Sequence, residues 1–143
     1  MRNLIIVLLA VVLIPAVSTQ AGKMPEKKKS AVVDNLTNGI VSDNNGLKTS
    51  SANVLSSLIT DEYLQSDDAT KAMIPLLVML ENGQNECERI AAAVALYKLG
   101  NPIGIYRLRG VAKFDDNEKV STVCKNLYYT YHKLHNSEYL IDF

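Results

Sequence analysis

The chain has 143 residues, of which 48% are hydrophobic, and its 15 basic side chains balance its 15 acidic ones. A mature chain of about 120 residues has the size of one soluble domain, which excludes a multidomain enzyme, a polytopic membrane protein and a disordered tail protein. Because no basic excess exists to neutralise phosphates, general nucleic-acid binding is disfavoured.

The first 21 residues have the pattern of a secretory signal peptide. Arg2 supplies a positive end, residues 4–17 form an apolar run, and small residues precede two cleavage points, after Ser18 and after Ala21. A retained membrane anchor is the weaker alternative, because the run is shorter than the about 20 residues of a spanning helix. We therefore expect a secreted or periplasmic protein with no stable membrane span after signal cleavage.

Three further segments follow the signal peptide. Residues 22–30 contain consecutive lysines and no apolar period, which predicts a flexible linker. Residues 31–136 carry the helical patterns described next and are expected to form one domain. Residues 137–143 are expected to form a C-terminal tail.

An internal repeat organises the domain. Residues 47–58, 88–99 and 120–131 align without gaps, and their apolar or small columns recur with helical spacing. A shorter apolar pattern precedes each stretch and predicts a first helix for each pair, whereas no segment shows the two-residue period of a strand. The second helices are expected to bury the columns Ser51, Ala92, Cys124; Val54, Ala95, Leu127; Leu55, Leu96, Tyr128; and Leu58, Leu99, Tyr131. The first helices are expected to bury Val33, Leu36, Ile40; Ile74, Leu77, Leu80; and Ile105, Leu108, Val111.

Capping signals separate the predicted helices. Asn85 with Glu88, and Asp115 with Glu118, have the spacing of an N-cap and its acidic partner. The sequence Gly-Asn-Pro at residues 100–102 predicts that one helix ends and the next begins at once.

The second repeat resembles a known family. Residues 89–102, preceded by Ile-Pro-Leu-Leu at 74–77, resemble a HEAT repeat of the short, phycobilisome-lyase-like and armadillo-type kind, and the resemblance extends over about residues 31–134. It implies an all-α protein, a short α-solenoid of about three HEAT-like helix-turn-helix pairs. Residues 60–69 insert an extra loop, and Glu88 stands where the pattern prefers an aliphatic residue. The chain also resembles small exported HEAT-repeat proteins of diderm bacteria, which implies a binding scaffold and transfers no catalytic residue.

No catalytic motif stands out in the sequence, so we expect neither enzyme activity nor a cofactor. His132 and His135 have a spacing that suits two metal ligands, and Glu138 and Asp142 lie nearby. Two surface histidines are nevertheless the favoured interpretation. The acidic pairs at 67–68 and 115–116 are interpreted as helix caps rather than as acid-base catalysts.

The two cysteines are expected to remain unpaired. An even count in an exported protein invites a disulfide. However, Cys124 aligns with Ala92, five residues beyond Cys87, and the axial and lateral separations of stacked helices exceed the about 7 Å that a bridge allows between Cα atoms. Cys124 is expected to be a buried structural thiol.

The polar residues of the second repeat are expected to be structural. Arg89 aligns with Lys48 of the first repeat, and in the family that it resembles such a residue forms a polar ladder. Asp43 and Asn85 are the expected partners of Arg89.

A candidate binding face comes from the columns expected to point away from the core, with Tyr97 and Tyr129 side by side. An apolar strip with two phenols and a polar rim suits a protein partner. The predicted partner-binding residues are Ile90, Val94, Tyr97, Lys125, Asn126 and Tyr129. The alternative is that the tail at 137–143 covers these groups.

The favoured function is a non-enzymatic protein- or peptide-binding module exported to the periplasm or cell exterior. One alternative is a metal-dependent or enzymatic accessory protein that uses His132 and His135. Another is a structural piece of an envelope assembly. If the tyrosine face is not the site, the basic side chains of Arg107, Arg109 and Lys113 are the next candidates.

Overall fold

A computed structural model describes residues 24–135, which form six α-helices and a short 3-10 helix, with no strand in that range. The all-α class predicted from the sequence is confirmed for these residues. Their bounds are Glu26–Ile40 (α1), Asn45–Thr60 (α2), Asp67–Ala72 (3-10), Met73–Asn82 (α3), Glu86–Leu99 (α4), Pro102–Phe114 (α5) and Glu118–Leu134 (α6). The predicted signal peptide and C-terminal tail lie outside the described residues. Within residues 24–135, no helix has the length and apolar character needed to cross a bilayer.

Consecutive helices pack in pairs, α1 on α2, α3 on α4 and α5 on α6. The helix α4 also packs on both α2 and α6, so these three form a continuous row, here called the second-helix row. The first-helix row consists of α1, α3 and α5, of which α3 touches both neighbours over a short stretch. The second-helix row supplies 11 of the 22 buried apolar residues within residues 24–135, six of them from α4.

Asparagine caps explain where four of the helices begin. Asn44, Asn85, Asn101 and Asn117 each accept a hydrogen bond from a backbone N–H two or three residues later, at 2.9–3.1 Å. Such side chains satisfy amide groups that the first helical turn leaves without partners. The predicted cap at Asn85 is confirmed, whereas the predicted cap at Asp115 is wrong, because Asn117 performs that role for α6.

The end of α4 follows the prediction closely. Gly100 adopts a left-handed conformation with φ of 63°, and its N–H donates to Leu96 O and Tyr97 O. This conformation favours glycine, since a Cβ atom there is strained. Asn101 then caps α5, and Pro102 occupies its first turn.

The small-residue column sets the closest approach of the first two helices. Ser51, Ala92 and Cys124 are all buried, as the repeat alignment predicts. Gly39 in α1 faces Ser51 so closely that a methyl group on Gly39 would clash with the Ser51 hydroxyl. A glycine is therefore needed in α1 for the two helices to meet at this distance.

Two predicted core positions are exposed instead. The Ile74 side chain is 60% exposed, and α3 buries Leu76, Met79 and Leu80. The 3-10 helix leads straight into α3, and its buried Ala72 continues the same stripe four residues before Leu76, which turns Ile74 outward. Val54 is 47% exposed because α2 is the first helix of its row and packs within the row on α4 alone.

The segment predicted as an extra loop is part of the core. Leu64, Ala69 and Ala72 are buried at 1% exposure or less, and the 3-10 helix packs on α1, α3 and α4. Two ion pairs attach it to α1: Lys29 to Asp68 at 3.1 Å, and Lys71 to Asp34 at 2.5 Å.

The start of α1 also differs from expectation. Residues 26–30 belong to this helix, although the sequence predicts a flexible linker over 22–30. The physical reason is Lys29, whose ammonium binds Glu26 at 2.9 Å in the same turn and Asp68 of the 3-10 helix. Lys29, although it lies in a polar stretch of sequence, is therefore buried between α1 and the 3-10 helix.

Candidate functional site

On α2 and α4, part of the predicted binding face points along the second-helix row rather than away from the core. Ser56 of α2 is buried and lines a cavity with Val94 of α4. Tyr97 of α4 packs against the core and lines a second cavity with Tyr131 of α6. Residues 56, 97 and 129 occupy one column of the repeat alignment that was expected to point outward. Ser56 and Tyr97 face the next helix of the row instead, so the expected orientation is wrong for these two residues.

The six predicted partner-binding residues separate into two groups. Ile90, Val94 and Tyr97 are half-buried on α4, and two of them, Ile90 and Tyr97, pack on the core. The other three lie on α6, where Lys125 and Asn126 are exposed and Tyr129 is half-buried.

Among residues 24–135, the rings of Tyr97 and Tyr129 are not in direct contact, and their placement about one helix spacing apart stays a prediction. The ring of Tyr129 meets that of Tyr128, with centroids 6.1 Å apart, and the Lys125 ammonium lies 6.0 Å from the Tyr129 centroid. Tyr97 instead lies close to the Lys98 ammonium, at 5.7 Å. Whether these groups bind a partner stays a prediction.

The histidine pair lies among aromatic rings. The His135 ring stacks on Tyr131 with centroids 4.1 Å apart, and its Nδ1 lies 2.7 Å from Tyr131 O. The His132 ring lies 4.3 Å from that of Tyr128. Burial, together with the charge of His135, lowers the pKa of His132 below its usual value. Within residues 24–135, no group of three histidine, cysteine, aspartate or glutamate side chains is placed to hold a metal ion, and Glu138 and Asp142 lie outside that range.

Arg89 connects three helices through one side chain. Its Nε donates to Leu80 O at the end of α3, at 2.8 Å, and its guanidinium makes two hydrogen bonds to the carboxylate of Asp115 at the end of α5. A polar ladder is present, but the predicted partners Asp43 and Asn85 are wrong. The Asn85 side chain hydrogen-bonds to Glu88 instead. Asp115 reaches Arg89 because α5 and α6, which flank Asp115 in sequence, both pack on α4.

The neighbours of Asp115 stabilise its negatively charged form. Burial raises the pKa of Asp115, but hydrogen bonds from the Arg89 guanidinium and the Asn117 N–H, with the positive charge of Arg89, outweigh burial and bring the pKa below its usual value. These contacts give the two residues a structural role.

The cysteines have opposite environments. Cys87 is exposed on the first turn of α4, Cys124 is buried in α6, and both are free thiols. Burial, with the negative charge of Asp115 adding to it, raises the pKa of Cys124 to about 12. Since the thiolate is the nucleophile, Cys124 is unsuited to covalent catalysis at neutral pH.

An exposed apolar surface lies on the first-helix row. Its members are large apolar side chains that are 54–77% exposed and that all belong to, or directly follow, the helices of that row. This outer apolar surface consists of Val41, Ile74, Val78, Ile103, Tyr106 and Phe114. An ion pair between Arg107 of α5 and Glu81 of α3, at 2.8 Å, joins two helices of this row.

Sequence reasoning missed this surface because it assigned Ile74 to the core. A signal was available: Ile74 and Val78, and likewise Ile103 and Tyr106, have helical spacing on a stripe distinct from the buried one. Of the basic residues named as the next candidates, Arg107 lies within this surface.

A cleft of about 430 Å³ opens at one end of the outer apolar surface, between the α1–α2 turn and α3. Sites for small molecules have volumes of about 300–1,000 Å³ and mostly apolar walls. The apolar wall of the cleft consists of Ile40, Val41, Ile74, Pro75, Val78 and Met79. Lys48, Asn82 and Glu88 contribute its polar groups.

Comparisons with protein-family models, with curated proteins and with solved structures find no match for this chain. The HEAT-like resemblance therefore rests on the sequence pattern, above all that of residues 74–77 and 89–102.

Proposed function

We propose that this protein is an exported, short HEAT-like solenoid of three helix pairs that binds a protein or peptide partner without catalysis. The observation that carries the binding proposal is the outer apolar surface. Single exposed apolar residues are ordinary, but a group of large ones along one row is typical of a protein interface. Tyr106 and Phe114, at 71% and 77% exposure, are the kind of aromatic residues that dominate binding energies.

The packing of the helices supports the solenoid part of the proposal. In repeat proteins each unit contacts its neighbours and exposes a long surface. Here each helix pair is closed by its own contacts, and α4 joins the pair before it to the pair after it. The export part of the proposal rests on the signal-peptide pattern of residues 1–21.

The first-helix row suits a partner better than the face predicted from the repeat columns. Part of the surface of Ile90 and Tyr97 is already buried against the core, whereas Ile74 and Tyr106 are mostly exposed. A partner that covers the outer apolar surface gains more buried apolar area, at about 25 cal/mol for each Å².

The test is chemical crosslinking in the native envelope followed by purification of the tagged protein. Wild type is expected to capture one stoichiometric partner, and Ile74→Asp with Tyr106→Asp is expected to lose it. Val54→Asp is the matched control, because Val54 is exposed but belongs to α2. Circular dichroism melts establish that all variants fold.

Two outcomes would contradict the proposal. If wild type captures no stoichiometric partner, the protein is not a binding module. If the Ile74/Tyr106 variant keeps the partner while Tyr97→Ala with Tyr129→Ala loses it, the site lies on the second-helix row.

A further inference from the structure

The cleft at the end of the outer apolar surface is lined by a lysine, Lys48, that makes no ion pair within residues 24–135. Three lysines of the described residues are buried or half-buried, namely Lys29, Lys48 and Lys98. Lys29 pairs with two carboxylates, and the Lys98 ammonium lies over the Tyr97 ring. Within residues 24–135, Lys48 makes neither a hydrogen bond nor an ion pair through its side chain.

Glu88 lines the same cleft, but its carboxylate is already engaged. One oxygen accepts from Gln84 N–H at 3.2 Å and the other from Asn85 Nδ2 at 2.8 Å. The residue is 0% exposed and sits in the first turn of α4, where the helix dipole favours a negative charge. Glu88 is thus held by the helix end and makes no ion pair with Lys48, so the Lys48 ammonium can pair with an anion.

The walls of the cleft define the rest of the ligand. A half-buried lysine beside aliphatic side chains fits a carboxylate that carries an apolar chain. Val41, Ile74 and Val78 belong both to the cleft and to the outer apolar surface, so the apolar area continues beyond the cleft. A polypeptide end can fill the cleft with its last residues and cover the outer apolar surface with the residues before them. A free small molecule would fill the cleft alone.

We infer that this cleft binds the C-terminal residues of an apolar peptide, with the terminal carboxylate against Lys48 and the last side chains between α3 and the α1–α2 turn. Capture of a chain terminus is a recurring way of recognising peptides. The inference rests on the proposed function, because it names the chemistry of the partner segment.

The test uses the mature chain and fluorescence anisotropy with two pools of labelled hexapeptides. Both pools have random residues at the first four positions and leucine, valine or phenylalanine at the last two. One pool ends in a free carboxylate and the other in an amide. Wild type is expected to bind the free-acid pool roughly tenfold more tightly, as for one charge-assisted hydrogen bond.

Variants locate the effect at Lys48. Lys48→Met is expected to abolish the preference for the free acid, and Lys48→Arg to retain it. Lys28→Met is the matched control, because Lys28 is exposed on α1 and does not line the cleft. Circular dichroism melts confirm that each variant is folded.

Several results would overturn the inference. They are equal affinity of wild type for both pools, binding of neither pool, and an acid preference that survives in Lys48→Met. Binding of decanoate without binding of either peptide pool would assign the cleft to a small carboxylate instead. If any of these occurs while wild type still captures its native partner, the proposed function stands and this inference alone fails.

Discussion

Arg89 and Asp115 act at the scale of single residues, where one ion pair joins the end of α3, the first turn of α4 and the turn between α5 and α6. Their side chains are only 17% and 13% exposed, so water screens the pair little. Because the folded protein holds the Asp115 pKa below its unfolded value, the charged form stabilises the fold. This contribution is complete above the unfolded pKa of about 3.9 and is lost as pH falls through the folded pKa.

Asp115→Asn is therefore expected to lower the free energy of unfolding by about 1–3 kcal/mol at pH 7, since a charged hydrogen bond is replaced by a neutral one. The difference between variant and wild type should shrink as the pH falls below about 4. Urea denaturation of both proteins over a series of pH values measures this difference in the free energy of unfolding. A difference that is constant with pH would contradict the pKa direction.

Leu99→Ala is expected to cost about 2–5 kcal/mol, because Leu99 is 5% exposed and its removal leaves a cavity. Leu134→Ala is the control: its side chain is 68% exposed, and we expect a change within about 0.5 kcal/mol. Denaturant melts of both variants decide. A cost below about 0.5 kcal/mol for Leu99→Ala would place that residue outside the core.

The two thiols are expected to react at different rates. In native protein, Cys87 should react with a thiol reagent at once, while Cys124 should react only after unfolding, because it is buried with a pKa of about 12. Thiol counting on unreduced, denatured protein should find two free thiols per chain. A count of zero would mean that the helix register is wrong.

At the scale of elements, Gly39 determines how closely α1 and α2 approach. Gly39→Ala is expected to destabilise the protein by about 1–3 kcal/mol, as in overpacked cores, because the added methyl group clashes with Ser51. Gly110→Ala is the matched control. Nothing lies within 4 Å of a Cβ atom there, so alanine should stabilise α5 by about 0.5–1 kcal/mol. Equal thermal shifts for both variants would contradict the close approach.

Helix ends and the second helices were predictable because their signals are local. The Asn85 cap and the Gly-Asn-Pro sequence at 100–102 need only neighbouring residues, and the buried columns of α4 follow from helical spacing. The face of α3 was predicted wrongly, because the preceding 3-10 helix turns Ile74 outward and the spacing of Ile74 and Val78 was the one local signal for it. Asp115 likewise looks like a cap until α4 brings Arg89 to it.

At the scale of the whole molecule, the candidate site depends on residues that are distant in sequence. Lys48 and Ile74 meet at one cleft only because α2 and α3 belong to adjacent helix pairs. No spacing rule relates them. The repeat alignment led instead to Tyr97, whose column faces the next helix, since an alignment of repeats identifies equivalent positions but not which side of each helix a neighbour covers.

The central position of α4 has a consequence for how the protein opens. This helix packs on α2, α3, α5, α6 and the 3-10 helix, while α1 relies on α2, α3 and the 3-10 helix. Amide hydrogen exchange should accordingly be slowest in α4, where it requires global unfolding, and faster in α1. The Lys29–Asp68 and Lys71–Asp34 pairs bind the 3-10 helix to α1, so the amide protons of the two segments should exchange together as one cooperative unit.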